Sequence, residues 1–117
     1  MKIENIKFKA KRLDGKGWVI GDLLHSYENG VIIVPIEGCG AFSVDSSTVC
    51  MFTGLKDKNG TPIYEGDTIK YTDNITEIIG NINWDSKTAT FCFGHDFLFH
   101  YFSEYMVIIG NKFDKKK

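Results

Sequence analysis

Turn-forming residues recur along the whole chain at short intervals, and this spacing constrains the fold more than any other feature. Glycine-containing turn signals come roughly every dozen residues, and the segments between them are rich in β-branched and aromatic side chains. Short strands joined by tight turns produce this pattern, whereas helices need longer uninterrupted periodic segments. The sequence therefore predicts a mainly β protein in which only residues 96–104 form a short helix or turn.

The first part of the chain predicts paired antiparallel strands. Apolar residues and lysines alternate over residues 6–11, which turns Ile6, Phe8 and Ala10 inward and a row of ammonium groups outward. Further strands are expected at residues 18–24 and 31–36. Asn29-Gly30 between them favours a tight hairpin, because both residues tolerate positive φ angles.

The second part predicts a meander of strands at residues 67–71, 76–84, 88–93 and 105–109. Gly80 inside the second of these indicates a bulge or a close backbone approach. A chain of 117 residues is the size of one domain with one core. We expect a single domain over residues 1–117, with N-terminal hairpins over 1–50 and a motif loop and meander over 51–117. One face of the strand predicted at residues 76–84 is expected to carry Ile78, Gly80, Ile82 and Trp84.

Composition and charge exclude several classes of protein. The net charge of -1 removes the general attraction to phosphate on which strongly basic nucleic-acid binders rely. The three cysteines, Cys39, Cys50 and Cys92, contain no CxxC pair, so we expect buried reduced thiols. The charged N-terminus lacks a signal-peptide core, and the longest aliphatic stretch, residues 31–34, is too short to span a bilayer. A cytoplasmic protein without membrane contact is expected.

Residues 53–67, TGLKDKNGTPIYEGD, form the most distinctive segment of the chain. This segment resembles the hallmark of the YopX family of small phage and prophage proteins, a TGLxDxxGxxIYEGD-like motif followed directly by a strand. The resemblance extends to the ends of the chain, although residues 112–117 replace the family's usual acidic, proline-containing finish. The other matching positions are Thr48-Val49 with Phe52, residues 6–10 with Trp18 and Gly21-Asp22, and Val107-Ile108-Ile109-Gly110-Asn111.

The resemblance implies an SH3-like small β-barrel with additional N-terminal strands, in a protein of the bacterial host cytoplasm. It implies an uncharacterised role in phage or prophage biology, and it supplies neither catalytic residues nor a cofactor. The positions that match the motif define a predicted family-motif surface, consisting of Thr53, Gly54, Leu55, Asp57, Gly60, Tyr64, Glu65, Gly66 and Asp67.

The residues of this segment support a structural loop and, as an alternative, a cation site. Glycines and Pro62 suit a well-defined turn, and aspartate and asparagine side chains can cap it. A cation site would use the hard oxygen ligands of Asp57, Asn59, Glu65 and Asp67. An EF-hand loop beginning at Asp57 would require glycine where Pro62 stands, so we predict a structural loop and no metal.

Other catalytic patterns fail on spacing. Gly60 is followed by Thr61 where a phosphate-binding P-loop requires lysine, and the glycines of residues 15–21 miss the dinucleotide-binding spacing. His25, His95 and His100 could join Cys92 or Asp96 as ligands or as a nucleophile and base. However, His95 and His100 would lie on opposite faces of a continuous strand. We therefore expect no enzymatic activity.

The lysine row offers the best nucleic-acid interface. Lys7, Lys9, Lys11 and Arg12 could meet phosphates, while exposed rings stack on bases. Alternatively, the lysines protect a strand edge and the aromatics fill the core, which the near-neutral net charge favours. The candidate stacking rings are Tyr27, Tyr64, Tyr71 and Trp84.

The aromatic content of residues 91–102 exceeds what one small core accommodates, and burial between protein surfaces would resolve the excess. We therefore expect a homo-oligomer that binds a phage or host protein, with nucleic-acid binding as the alternative.

Overall fold

The computed structural model describes residues 2–26, 28 and 30–114. Eleven strands dominate these residues, and the helical elements are 3-10 turns of three residues each, which confirms the predicted mainly β class. None of the described helices is long or apolar enough to cross a membrane. The chain divides into two compact units, which meet in the sequence between Phe52 and Thr53. The predicted single domain, subdivided after residue 50, stays a prediction.

Unit 1, which ends at Phe52, contains one antiparallel sheet in the order β4-β3-β2-β1-β5. Ala10, Ile33 and Val44 are buried at its centre, so the inward face predicted from the alternation of residues 6–11 is confirmed for Ala10. Ile6 precedes the strand and is exposed, so its predicted inward position is wrong. The strands are β1 (Phe8–Lys11), β2 (Trp18–Ser26), β3 (Gly30–Pro35), β4 (Phe42–Ser43) and the first half of β5 (Cys50–Lys56).

The predicted hairpin joins β2 to β3 with Ser26 opposite Gly30. Gly30 has a φ of +72°, the conformation that this position requires of a tight turn. Asn29, the other predicted turn residue, lies outside the described residues.

Unit 2, which begins at Thr53, contains the second half of β5 beside β6 and a five-stranded antiparallel sheet in the order β10-β9-β8-β7-β11. Its core is larger than that of unit 1 and includes Ile69, Ile82, Phe93 and Met106. The strands are β6 (Pro62–Tyr64), β7 (Asp67–Thr72), β8 (Glu77–Asp85), β9 (Thr90–Phe93), β10 (Asp96–Phe97) and β11 (Met106–Asn111).

The closed barrel that the resemblance implies is not formed by the described strands of unit 2. Its sheet ends at β10, which pairs with β9 over only two residues. The chain then enters two 3-10 turns, Leu98–His100 and Ser103–Tyr105, which agrees with the short helix or turn predicted for residues 96–104. A strand of two residues is too short to extend the hydrogen-bond ladder to β11, and the sheet stays open.

Two residues of β8 bear on the sequence predictions. Gly80 pairs with Ile69 in an unbroken register, so of the two predicted alternatives the bulge is absent and a close approach remains. Its missing side chain leaves room for the Phe93 ring, which would lie 3.0 Å from a Cβ atom at that position. Trp84, which was expected to share a face with Ile78, Gly80 and Ile82, is exposed, with its ring edge-on against Phe91 at a centroid distance of 5.0 Å.

Candidate functional site

The family-motif segment is held by side-chain hydrogen bonds in addition to the pairing of β5 with β6. It starts in β5, passes through β6 and reaches β7 by a tight turn at Gly66, whose φ is +89°. The Thr53 hydroxyl donates to the carbonyl of Ile63 over 2.8 Å and accepts from the backbone N–H of Leu55 over 3.1 Å. These bonds hold the chain on either side of Gly54, whose φ is +90°.

Asp57 is buried, and its carboxylate collects backbone donors from two parts of unit 2. Oδ1 accepts from the N–H groups of Asn59 and Thr61 at 2.9 and 3.0 Å. Oδ2 accepts from the N–H of Ile108, 51 residues away in the sequence, at 3.2 Å. The neighbouring N–H of Lys58 donates to the carbonyl of Met106 at 2.9 Å. The motif loop is therefore fastened to β11.

The carboxylate of Asp67 likewise accepts hydrogen bonds at the other end of the segment. Its Oδ2 accepts from the N–H of Tyr64 at 2.8 Å, which closes the turn, and its Oδ1 accepts from the side-chain amide of Asn111 at 3.0 Å. Burial, with a smaller contribution from the charge of Asp67, raises the pKa of the Tyr64 phenol to about 12. Tyr64 therefore stays neutral at physiological pH.

These contacts support the structural interpretation of the motif. Both oxygens of each buried carboxylate accept N–H groups of the protein, whereas a cation site needs oxygens directed at a common point. Among the residues that the structure describes, no group of three or more histidine, cysteine or acidic side chains is arranged to hold a metal. The role of the predicted motif surface in binding stays a prediction, although Asp57, Tyr64 and Asp67 are buried members of it.

The lysine row of β1 lies over aromatic rings of unit 1. The ammonium groups of Lys9 and Lys11 are 4.8 and 5.7 Å from the centre of the Trp18 ring. Lys7 lies 4.5 Å from the ring of Phe52, and the Arg12 guanidinium lies 4.1 Å from that of Phe42. The cations thus cover rings of their own chain, an arrangement that stabilises each pair modestly.

The described aromatic residues among those expected to stack on bases belong to unit 2. Tyr64 and Tyr71 are buried in unit 2, and the exposed Trp84 belongs to that unit too. Tyr27 lies outside the described residues. The sequence analysis missed Trp18, although alternation along residues 18–24 would have directed its ring to one face of the sheet.

Unit 2 carries two pairs of aromatic rings, which we call together the aromatic surface: half-buried Phe97 with Phe99, and Phe102 with Tyr105. Phe99 is 72% exposed and stacks on Phe97 with ring planes 9° apart and centroids 5.3 Å apart. Phe102 is 65% exposed and meets Tyr105 edge-on at 6.4 Å. Both exposed phenylalanines lie in or beside the two 3-10 turns that follow β10.

Asp96 organises the first of these turns. Its Oδ1 lies 2.7 Å from Nδ1 of His100, and its Oδ2 accepts from the hydroxyl of Tyr101 at 3.2 Å. The hydrogen bond with His100 is the largest influence that lowers the pKa of the Asp96 carboxyl. His100 also packs edge-on against Phe99 at 4.6 Å, so this pair orients an exposed ring.

The three cysteines differ in burial. Cys50 and Cys92 are buried thiols, as predicted, but Cys39 is exposed, which corrects the expectation for that residue. Burial is the largest cause of the raised pKa of the Cys92 thiol, so the nucleophilic thiolate is disfavoured there.

The fold and the motif segment define a mainly β protein of two antiparallel sheets whose distinctive loop is fastened by two buried aspartates. The chain belongs to the YopX family: the family model, described as YopX protein, matches residues 7–115. This match confirms the resemblance noted from residues 53–67. No curated protein matches the sequence.

Proposed function

We propose that this protein is a phage- or prophage-encoded accessory protein of the bacterial cytoplasm that acts without catalysis, by protein–protein interaction and self-assembly. The observation that carries the proposal is the aromatic surface of unit 2. Large rings held in fixed orientations bury much area at little entropic cost, and they dominate the binding energy of protein interfaces.

The geometry of the aromatic surface supports this role. The stack of Phe99 on Phe97 and the packing of His100 against Phe99 fix the exposed ring before a partner arrives. Preorganised side chains lose little conformational freedom on binding, which improves affinity. Exposed aromatic area of this kind in a folded domain is typical of an interaction site.

Nucleic-acid binding is the second candidate, and the lysine row favours it. Lys7, Lys9, Lys11 and Arg12 present positive charge along one strand and its continuation, the footprint expected of phosphate contacts. Two features weaken this candidate: the ring of Trp18 already lies under two lysines, and the net charge of the chain is -1.

Affinity capture from a lysate of phage-carrying bacteria tests the proposal, with each sample divided into nuclease-treated and untreated halves. The variant Phe99→Ser/Phe102→Ser removes both exposed rings, and Leu13→Ser, an exposed apolar residue of unit 1, is the matched control. We expect nuclease-resistant partners whose yield falls about tenfold or more in the double variant, because interface aromatics are typical hot spots. The control should retain the wild-type yield.

Partners captured equally by the wild type and the double variant would contradict the role of the aromatic surface. Partners that disappear with nuclease, together with binding that weakens steeply with salt, would replace the proposal by the nucleic-acid candidate.

A further inference from the structure

In the unit 2 sheet, the strands β11 and β8 differ in whether their outer edges are hydrogen-bonded. The outer edge of β11 is occupied, because Lys58 donates to the carbonyl of Met106 and Ile108 donates to Asp57. β8, by contrast, pairs with β7 over residues 77–81 and with β9 only over residues 82–85. The first half of β8 therefore has a second edge that β9 does not reach.

The hydrogen bonds around β8 show in which direction its peptide groups point. The carbonyls of Thr76 and Ile82 accept from residues on the β7 side, at 3.0 and 2.7 Å. The carbonyl of Asn81 accepts from Gly94 at 3.0 Å, on the β9 side. Peptide groups alternate in direction along a strand, so those of Glu77 and Ile79 point the same way as that of Asn81, away from β7.

The peptide groups of Glu77 and Ile79 form what we call the β8 edge. Gly94, with a φ of +62°, turns the chain away just after β9. No hydrogen bond from another described residue reaches the β8 edge on this side. The surrounding side chains are open to solvent: Ile79 is 61% and Ile75 94% exposed.

Sequence features that normally protect such an edge are lacking in residues 73–81. Natural sheets shield exposed edges with lysine, proline, bulges or covering loops, because unpaired peptide groups are a template for another strand. This stretch contains neither lysine nor proline, and its register with β7 has no bulge. The charge of Glu77 is offset by Lys70, whose ammonium lies 3.8 Å from it.

We propose that the β8 edge pairs antiparallel with the β8 edge of a second copy of this chain, an inference that rests on the self-assembly in the proposed function. With the two-fold axis at Ile78, Glu77 of each copy faces Ile79 of the other. This register satisfies both outward peptide groups of each copy and forms about four backbone hydrogen bonds.

Charge and hydrogen bonding select this register and favour a second copy. Moving the two-fold axis from Ile78 to Glu77 would place the two Glu77 carboxylates opposite each other, which is destabilising. Moving the axis to Ile79 would place Glu77 opposite Asn81, whose carbonyl already accepts from Gly94. The axis at Ile78 avoids both costs, so the edge is complementary to itself.

Ile79→Pro tests the contact without breaking the fold. Its N–H points outward, so proline removes a donor to the second copy while the ladder with β7 keeps its hydrogen bonds. Ile78→Pro is the folding control: its N–H faces β7, and we expect only this variant to unfold at a clearly lower urea concentration. Ile79→Thr, which keeps the N–H and the preference for strands, is the matched control for the side chain.

Sedimentation velocity over a range of protein concentrations should show a monomer–dimer equilibrium for the wild type. Ile79→Pro removes two symmetry-related hydrogen bonds, so its dissociation constant should rise about tenfold or more, whereas Ile79→Thr should stay within about threefold. Amide hydrogen exchange should show protection at positions 77 and 79 that grows with concentration in the wild type and in Ile79→Thr, whereas position 77 of Ile79→Pro should show no such growth.

A wild type that stays monomeric, a dimer unaffected by Ile79→Pro, or equal weakening by the threonine variant would each overturn the inference. Partner capture by the same Ile79→Pro protein separates this failure from that of the proposed function. If Ile79→Pro still forms the dimer and still captures partners, only the edge contact is refuted. If the wild-type protein forms the predicted dimer but captures no partner, only partner binding is refuted.

Discussion

At the scale of single residues, two buried aspartates determine the shape of the family-motif segment. Asp57 and Asp67 accept N–H groups that no strand ladder satisfies, and each links residues more than 40 positions apart. A buried donor that loses its acceptor costs more free energy than the hydrogen bond contributed, because neither water nor protein replaces the partner. The two aspartate positions of the motif are therefore explained by the N–H groups that their carboxylates accept.

Replacing Asp57 should destabilise unit 2 in proportion to the acceptors removed. Asp57→Ala leaves the N–H groups of Asn59, Thr61 and Ile108 without their acceptor, so we expect the free energy of unfolding to fall by about 3 kcal/mol. Asp57→Asn keeps one acceptor oxygen and should lose less. Urea unfolding measures both, and an alanine variant as stable as the wild type would refute the fastening role of this carboxylate.

At the scale of elements, glycines within strands allow close packing that any side chain would obstruct. Gly21 of β2 lies opposite Pro35 of β3, and a Cβ atom there would come within 1.9 Å of the carbonyl oxygen of Val34. Gly80 of β8 accommodates the ring of Phe93 in a similar way. Neither glycine has a positive φ, so the requirement comes from neighbouring elements and not from the local backbone.

Gly21→Ala should therefore disrupt the pairing of β2 with β3. The obstructing atom belongs to the backbone and cannot rotate away, so we expect a loss of about 3 kcal/mol in the free energy of unfolding. Gly110→Ala in β11 is the control, because its Cβ would meet only a side-chain oxygen of Asp114 at 3.6 Å. Equal urea midpoints for the two variants would contradict the close approach at Gly21.

At the scale of the whole molecule, aspartates at exposed turns couple folding to pH. Lowered pKa values are found at Asp14, Asp45, Asp73 and Asp96. The largest cause is a backbone hydrogen bond for Asp14 (from Lys16) and for Asp73 (from Ile75). For Asp45 it is a side-chain hydrogen bond from Ser47, and for Asp96 it is the hydrogen bond with His100. Each turn is thus stabilised most by an ionised carboxylate.

Acidification should destabilise the protein through these turns. A lowered pKa means that the folded chain binds fewer protons than the unfolded chain near the ordinary value of 3.8, so the free energy of unfolding falls as the pH drops through that range. Urea unfolding at about pH 6 and about pH 3 measures the loss. Asp73→Asn keeps an acceptor for Ile75 and Thr76 without titrating, so its loss should be smaller; an identical loss would exclude Asp73 from the effect.

Sequence patterns that depend only on neighbouring residues predicted the structure correctly. The alternation of residues 6–11 placed Ala10 inward, the glycine after Asn29 marked the end of a hairpin, and residues 53–67 identified the family. Patterns whose outcome depends on distant residues failed: Ile6 fits an inward face but is exposed, and the implied barrel stays open among the described strands. Periodicity shows which side chains share a face, but it does not show what covers that face.

By itself, the sequence determined the mainly β class, the tight turns and the family, because these depend on neighbouring residues and on turn chemistry. The tertiary structure alone decided that Asp57 and Asp67 meet Ile108 and Asn111, that Lys9 and Lys11 lie over Trp18, and that Phe99 stays exposed. Those outcomes require segments far apart in the sequence to pack together. The free energy of such packing depends on which partners each side chain finds, and the local sequence does not encode those partners.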